Sequence, residues 1–403
     1  MCIRDRAPLI SFLDVKIPIS TQQQVNLSRR LATFSLSSGK TFLWTIPLIC
    51  FLLILLIPLN KLEMNPTQMY SEKYTSFGPD VLWLDKKLGA SFPISFKATS
   101  DNGSVSNPRF LEGLDNFSIW LEEQKEVTHV TSLARTMKSL NKSMNGDDLK
   151  MKVIPEDQEL SSQYLFFYEM SLPMGLDLNT SISQDRGSTR IAATLREMTS
   201  KEYLIFDEKV TKYLRENNLE STISKPAGFR VIFVYLMEAI VNSLLVGVTI
   251  GLALIITVIG FFFRSASFGF LSSFPNILPI VSAFGIWAII DGQIDFMVAV
   301  GMGSTLGIIV DFTVHLLSKY DLARQELKKS PEDAVLFAFE AVGFALIAMT
   351  IILALGFSVL HLVSFLPMHN FAQFSILAFV FALIIDFFLF PNLLVRFDKR
   401  KFD

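Results

Sequence analysis

In the stretch GMGSTLGIIVDFTVH, the residues Gly303, Gly307, Asp311 and His315 follow one another at intervals of four. On a helix that spacing puts all four on one slowly drifting face. Two kinds of chemistry follow. The glycines permit another helix to come close, as small-residue seams do. The carboxyl and imidazole beyond them can take up and release a proton. The block Phe296–Ser318 holds no other charged residue. A charge at the centre of a bilayer costs roughly 2.5–3.5 kcal/mol, so such a group normally faces a partner or a water-filled cavity. The competing reading is a structural hydrogen bond that holds the helices together.

Two more acids, Glu340 and Asp386, stand nearly alone in later apolar blocks. If those blocks cross in alternating directions, all three acids lie in the same half of the bundle, within roughly 5 Å of one level. A shared level is not a shared face. Asp311, Asp386, Glu340 and His315 are therefore the candidate proton relay. Glu340 is also close enough to a membrane surface to reach it, and His315, one turn from Lys319, fits an interfacial or orienting residue. Gly247 and Gly251 form a GxxxG pair expected to serve helix packing. Pro275 and Pro279, in SFPNILPIV, remove two backbone donors and predict a kink or hinge. His361 and His369 read as solvated loop residues. No pair of histidines has metal-ligand spacing and there is no nucleophile elbow or phosphate loop, so neither a metal, a cofactor nor an enzymatic activity is expected.

The elements that must hold these residues follow from the distribution of charge. Of 403 residues, 51% are hydrophobic, 37 are Phe and mean hydropathy is +0.42. Those values exclude a disordered chain and point to a membrane protein. A net charge of -2 excludes a generally basic nucleic-acid binder, and two cysteines cannot build a disulfide framework. Nearly uncharged blocks at Thr41–Asn60, Ala239–Phe263, Ser265–Ile290, Phe296–Ser318, Ala334–Leu360 and Phe371–Val395 predict six transmembrane helices. They are arranged as one, then a charged segment at 61–238, then five within 239–396. Lys and Arg gather in the segments before the first block, between the second and third and between the fourth and fifth, and in the tail 397–403. The loops Asp291–Asp295 and His361–Asn370 have neither. The positive-inside rule then places both termini in the cytoplasm and the 61–238 domain outside, after a cytoplasmic linker at 1–40.

That domain alternates in pattern. Strands are expected at Pro93–Ser100, Val127–Leu133, Ser188–Arg196 and Ser221–Ser224, with helices at Pro108–Glu126 and Ser200–Asn217. Two such β-α-β units predict an α+β domain of split-βαβ type.

The runs PNILPIVSAFGIWAIIDGQID and GMGSTLGIIVDFTVHLLSKY, with FEAVGFALIAMTIILALGFSVLHLVSFLPMHNFAQFSILAFVFALIIDFFLFPNLL after them, resemble the transporter half-unit of the RND superfamily. The nearest likeness is to the MMPL or hydrophobe/amphiphile efflux-3 exporters. LDKKLGASFPISF and NPRFLEGLDNFSIWLEEQ are similar to that family's first porter segment, and the likeness runs from about 40 to 400. The resemblance implies one half of an inner-membrane exporter, most closely the C-terminal half, moving lipids or other hydrophobic molecules at the expense of protons. Its partners would be membrane lipids and a second half-unit or another copy. Asp311 matches the family's proton-relay aspartate. Many members carry Tyr next, and here it is Phe312, which leaves Asp311 to couple with another half or with Asp386. The spans also look like the sterol-sensing-domain variant of the architecture. A SecD- or SecF-like export accessory and a ligand sensor without transport share the layout and stay open as alternatives. The opening MCIRDR resembles translated sequencing-adapter sequence, so the native frame is expected to extend upstream.

Overall fold

The computed structural model describes residues 22–62, 77–88, 93–173, 175–196, 198–398 and 400. The MCIRDR stretch, the first half of the 1–40 linker and the last three residues of the 397–403 tail lie outside the described residues.

The described chain starts with α1 (Gln22–Ser37) and α2 (Gly39–Ile54), then β1 (Lys61–Leu62) and α3 (Gly78–Leu88). A mixed region follows: β2 (Ile94–Thr99), α4 (Pro108–Glu122), β3 (Val127–Thr131), α5 (Leu133–Met144), α6 (Gln158–Ser171), β4 (Ser188–Leu195) and α7 (Ser200–Glu216). Then come α8 (Phe229–Phe262), α9 (Ala266–Ile290), β5 (Gln293–Ile294) and α10 (Phe296–Gln325). Two further spans are each broken by one π-helical turn. The first joins α11 (Pro331–Ala338) through Phe339–Gly343 to α12 (Phe344–Ser358). The second joins α13 (Leu366–Ile384) through Ile385–Leu389 to α14 (Phe390–Phe397). Six of these stretches are long and apolar enough to cross a membrane. The α8 helix begins at Phe229, well before the uncharged block, so it projects out of the apolar layer into the mixed region.

In the mixed region β2 and β3 lie on either side of β4 and each is antiparallel to it. Alternation decides which face is buried: Ile94, Phe96 and Ala98 point into the core while Lys97 and Thr99 do not. The α4 helix starts where Pro108 fixes the first turn and the Asn107 side chain accepts from the Phe110 N–H at 3.2 Å. It buries Phe110, Leu111, Leu114, Phe117 and Leu121, the face its spacing gives. Around Ser221–Ala227 the chain pairs with the free edge of β2, with Ser95 and Ala227 exchanging two 2.8 Å bonds. It pairs only through isolated bridges, not as the regular strand expected at Ser221–Ser224.

Within the helical part α10 packs against α8, α9 and α13. Trp287, Phe312, Tyr320, Phe339, Phe374 and Phe390 fill this core, while Phe261, Phe262 and Phe270 lie on its surface. β1 pairs in parallel with β5, and the Asn60 amide donates to the Phe284 carbonyl at 3.1 Å. These bonds tie the end of the first span to the α9–α10 turn.

Close helix contacts do not use the expected glycines. A Cβ at Gly247, Gly251 or Gly307 would meet nothing within 4 Å, and one at Gly303 would touch only Leu244 at 3.7 Å. The GxxxG pair therefore makes no seam among the described residues. The tight approaches occur at Gly285, which lies against the Leu53 backbone of α2, and at Gly269, where a Cβ would sit 2.6 Å from the Ile256 carbonyl oxygen. Pro275 and Pro279, expected to kink or hinge their span, both lie inside the continuous helix α9. Side chains of Ser272, Ser273 and Asn276 bond back to the carbonyls of Gly269, Phe270 and Ser272. Hydroxyls and amides of this kind help membrane helices accommodate proline.

Gly285→Ala should therefore lower thermal stability in detergent by about 1–3 kcal/mol, because the obstacle is backbone that cannot turn aside. Gly251→Ala should leave the melting temperature unchanged. Equal effects of the two would contradict the packing described.

Candidate functional site

Asp311 and His315 form an i,i+4 pair on α10, with Nε2 to Oδ1 at 3.3 Å. Their side chains are 51% and 47% exposed, so no other described helix covers them. The exposed stripe continues along the helix through Ser304, Gly307 and Ser318. It is polar and small-sided at a depth where lipid-facing residues are ordinarily large and apolar.

Asp386 lies elsewhere. It sits in the π turn Ile385–Leu389, fully buried, with Oδ1 3.2 Å from the Thr313 hydroxyl. That hydroxyl is also 3.2 Å from Asn276 Oδ1, and the Asn276 amide donates to the Ser272 carbonyl at 2.7 Å. Asp386 Oδ2 has no partner among the described residues. Thr313 follows Asp311 by two positions, about 200° around the helix at roughly 3.6 residues per turn. The structure thus separates the two aspartates to opposite sides of α10. This overturns the expectation that Asp311 could couple directly with Asp386. Phe312, the residue after Asp311, is buried.

Glu340 does not join either group. It occupies the other π turn and pairs with Arg29 of α1, Nε to Oε1 at 3.4 Å, with both side chains partly exposed. α1 lies across both π turns on its small face of Ser28, Ala32 and Ser35. Ser35 Oγ donates to the Phe387 carbonyl at 2.7 Å, and the Asn392 amide donates to Ser35 O and Oγ at 3.2 Å. His369, expected in a solvated loop, is buried, and its Nε2 lies 2.6 Å from the Val363 carbonyl. The apolar α13 helix starts at Leu366, so His369 falls inside its first turns.

Sequence reasoning missed Thr313, Asn276, Arg29 and Ser35, because only ionisable residues within the spans were sought there. The available signal was an amide between two prolines and a hydroxyl two residues beyond the key acid.

Two networks bound the site along the helix axis. At one end Asp398 accepts from Arg324 Nε at 2.9 Å, from Tyr320 OH at 2.9 Å and from Arg400 through Nε and Nη2 at 2.9 and 3.0 Å. Arg400 also bonds Asp321 at 2.6 Å. The clasp holds the end of α14 against the end of α10. Burial lifts the Asp398 carboxyl, but its bonds from Arg400 and Arg324 outweigh that and hold it at about 2. At the opposite end the Tyr235 hydroxyl of α8 bonds Asp207 of α7, and Arg230 donates to the Met198 carbonyl at 2.5 Å. Beside this junction is a cavity of about 630 Å³, lined among others by Asn60, Lys61, Leu204, Met237, Glu238 and Asn242. Its lining mixes apolar side chains such as Leu204, Val234 and Met237 with polar and charged ones such as Asn60, Lys61 and Glu238.

Comparison with known proteins agrees with a membrane assignment. A family profile described as the MMPL family matches residues 106–401. A protein of Methanocaldococcus jannaschii named as a membrane protein, MJ1562, is 29% identical over 154 residues. That match covers 38% of this chain and 39% of the relative, so the chain is matched to about two fifths of the curated relative's length.

The clasp makes a pH prediction. Because the folded-state Asp398 carboxyl is depressed below its ordinary 3.8, its stabilisation is complete above that value and is lost as pH falls towards about 2. Asp398→Asn should lower the melting temperature at neutral pH and shrink the further loss between pH about 4 and 2. An unchanged acid profile in the variant would show that the clasp contributes nothing.

Proposed function

We infer that this chain, which belongs to the MMPL family, is a half-unit of an RND-type membrane exporter, driven by protons and carrying lipids or other hydrophobic molecules. The observation that carries this reading is the exposed stripe on α10, where Gly307, Asp311 and His315 face outward. Exposing a carboxyl to hydrocarbon is costly, and a matching surface on a second half-unit or a second copy would cover it. The open glycines then have a use, as the place where that neighbour comes close.

Proton arrival at Asp311 would remove its charge and change its bond to His315, biasing α10 between two positions against its neighbours. The hydrogen bond between Tyr235 and Asp207 gives α8 a direct hold on the mixed domain, so a shift in the bundle is passed to α7. The order of strands, with β4 between β2 and β3, supports reading that domain as a split-βαβ porter domain. On the positive-inside argument it is exported and both termini are cytoplasmic, and the likeness to exporters of this family favours the cell's inner membrane. The cavity at the junction, lined by apolar side chains together with Lys61 and Glu238, suits an amphiphile taken from the outer leaflet.

In proteoliposomes Asp311→Asn should reduce substrate-dependent proton flux to background while the protein inserts and elutes as the wild type does. Wild-type flux in that variant would remove Asp311 from the mechanism, and flux independent of any hydrophobic substrate would favour a different cargo.

A further inference from the structure

The Thr313 hydroxyl has one proton and three acceptors within reach. They are Asn276 Oδ1 and Asp386 Oδ1, both at 3.2 Å, and the Ile309 carbonyl at 3.5 Å. The Asn276 orientation is fixed, because its amide nitrogen must face the Ser272 carbonyl at 2.7 Å. Its Oδ1 therefore needs a donor, and Thr313 is the one at hand. If Asp386 were ionised, it would compete for the same proton. The outcome would be either a buried carboxylate without any donor or an unmatched amide oxygen, each costly in this setting.

Among the described residues, those around Asp386 supply no counter-charge. α9 has no ionisable side chain. On α2, Lys40 is exposed and Cys50 is a buried thiol. On α1, Arg29 is taken by Glu340 of the neighbouring π turn, and Arg30 is exposed. On α10, Asp311 and His315 face outward as a pair, and Tyr320 and Arg324 bond Asp398 at the helix end. His369 of α13 is held by the Val363 carbonyl, and Arg396 of α14 is exposed.

We propose that Asp386 is a second protonation site, resting as the neutral acid, and that Thr313 relays its state to Asn276. In the protonated form Asp386 donates to Thr313, Thr313 to Asn276, and Asn276 to Ser272, so one directional chain joins the sixth span, α10 and α9. Removing the proton turns the Thr313 hydroxyl towards Asp386 and frees Asn276. That amide lies between Pro275 and Pro279, where the backbone of α9 already lacks two donors. The π turn at Asp386 is a deformation often found at functional positions. α10 thus carries two proton-sensitive faces, Asp311 outward and Thr313 inward. This extends the proton-coupled reading given above, but its test does not depend on transport.

The test is infrared spectroscopy of the full chain in lipid nanodiscs near neutral pH, with and without deuterium exchange. Wild type and Asp311→Asn should show the carbonyl band of a buried carboxylic acid, and Asp386→Asn should lack it. Asp386→Asn keeps an amide that can donate to Thr313, so it should fold. Thr313→Val should shift the band to the higher frequency of a weaker hydrogen bond, and Thr313→Ser should leave it in place. This second pair decides the matter if Asp386→Asn does not express. Absence of the band in wild type, its loss in Asp311→Asn instead, no shift in Thr313→Val, or its removal by sodium ions would each overturn the proposal. Failure of proton coupling in proteoliposomes with the band intact would count against the exporter reading alone.

Discussion

Hydrocarbon offers no hydrogen-bond partner, and the polar groups of this protein are arranged around that fact. Each ionisable side chain at bilayer depth meets the constraint differently. Asp386 is buried among other helices with a hydroxyl and an amide. Glu340 reaches the edge of the layer and pairs with Arg29. Asp311 and His315 pair with each other on a face that no described helix covers. The first arrangement links α13–α14 to α10 and α9, the second attaches α1 to the bundle, and the third stands on a face uncovered by the described helices.

α10 is the element on which the others depend. Its inner face carries Phe312, Thr313 and Leu316 into the core, and its outer face carries the stripe of small and polar residues. It is anchored at one end by Asp295, which caps it through bonds to Met297 and Val298 at 2.8 and 2.9 Å. At the other end the Asp398 clasp fixes it to α14. A helix held at both ends and polar on two sides is suited to pass a change on one face to the other. A purely apolar helix would have no such contrast between states.

The two π turns fit the same picture. Both lie beneath α1, whose Ser28, Ala32 and Ser35 are small enough to let it seat against them. A π turn displaces the backbone hydrogen-bond pattern, and Ser35 takes up the Phe387 carbonyl within one of them. Two of the three acids within the spans, Glu340 and Asp386, thus sit at the sites of irregular backbone, while Asp311 lies on the regular helix α10. At the far end, the bond between Tyr235 of α8 and Asp207 of α7 joins the bundle to the mixed domain, while the pairing of β1 with β5 ties the first span to the α9–α10 turn.

Sequence by itself determined the number of apolar spans, the strands at Ile94–Thr99, Val127–Thr131 and Ser188–Leu195 with the helices α4 and α7, and the shared face of Gly307, Asp311 and His315. Those properties depend on periodicity and on where charge is absent, which are local. Tertiary structure alone decided which faces are covered. It left Gly247 and Gly251 open and used Gly285 and Gly269, because the need for glycine depends on the path of the opposing backbone. It buried His369, gave Glu340 to Arg29 and joined Thr313 to Asn276 and Asp386, the latter across more than seventy residues of sequence. Periodicity fixes the residues that lie together on a helix, but the neighbour that meets them is chosen by packing over the whole bundle.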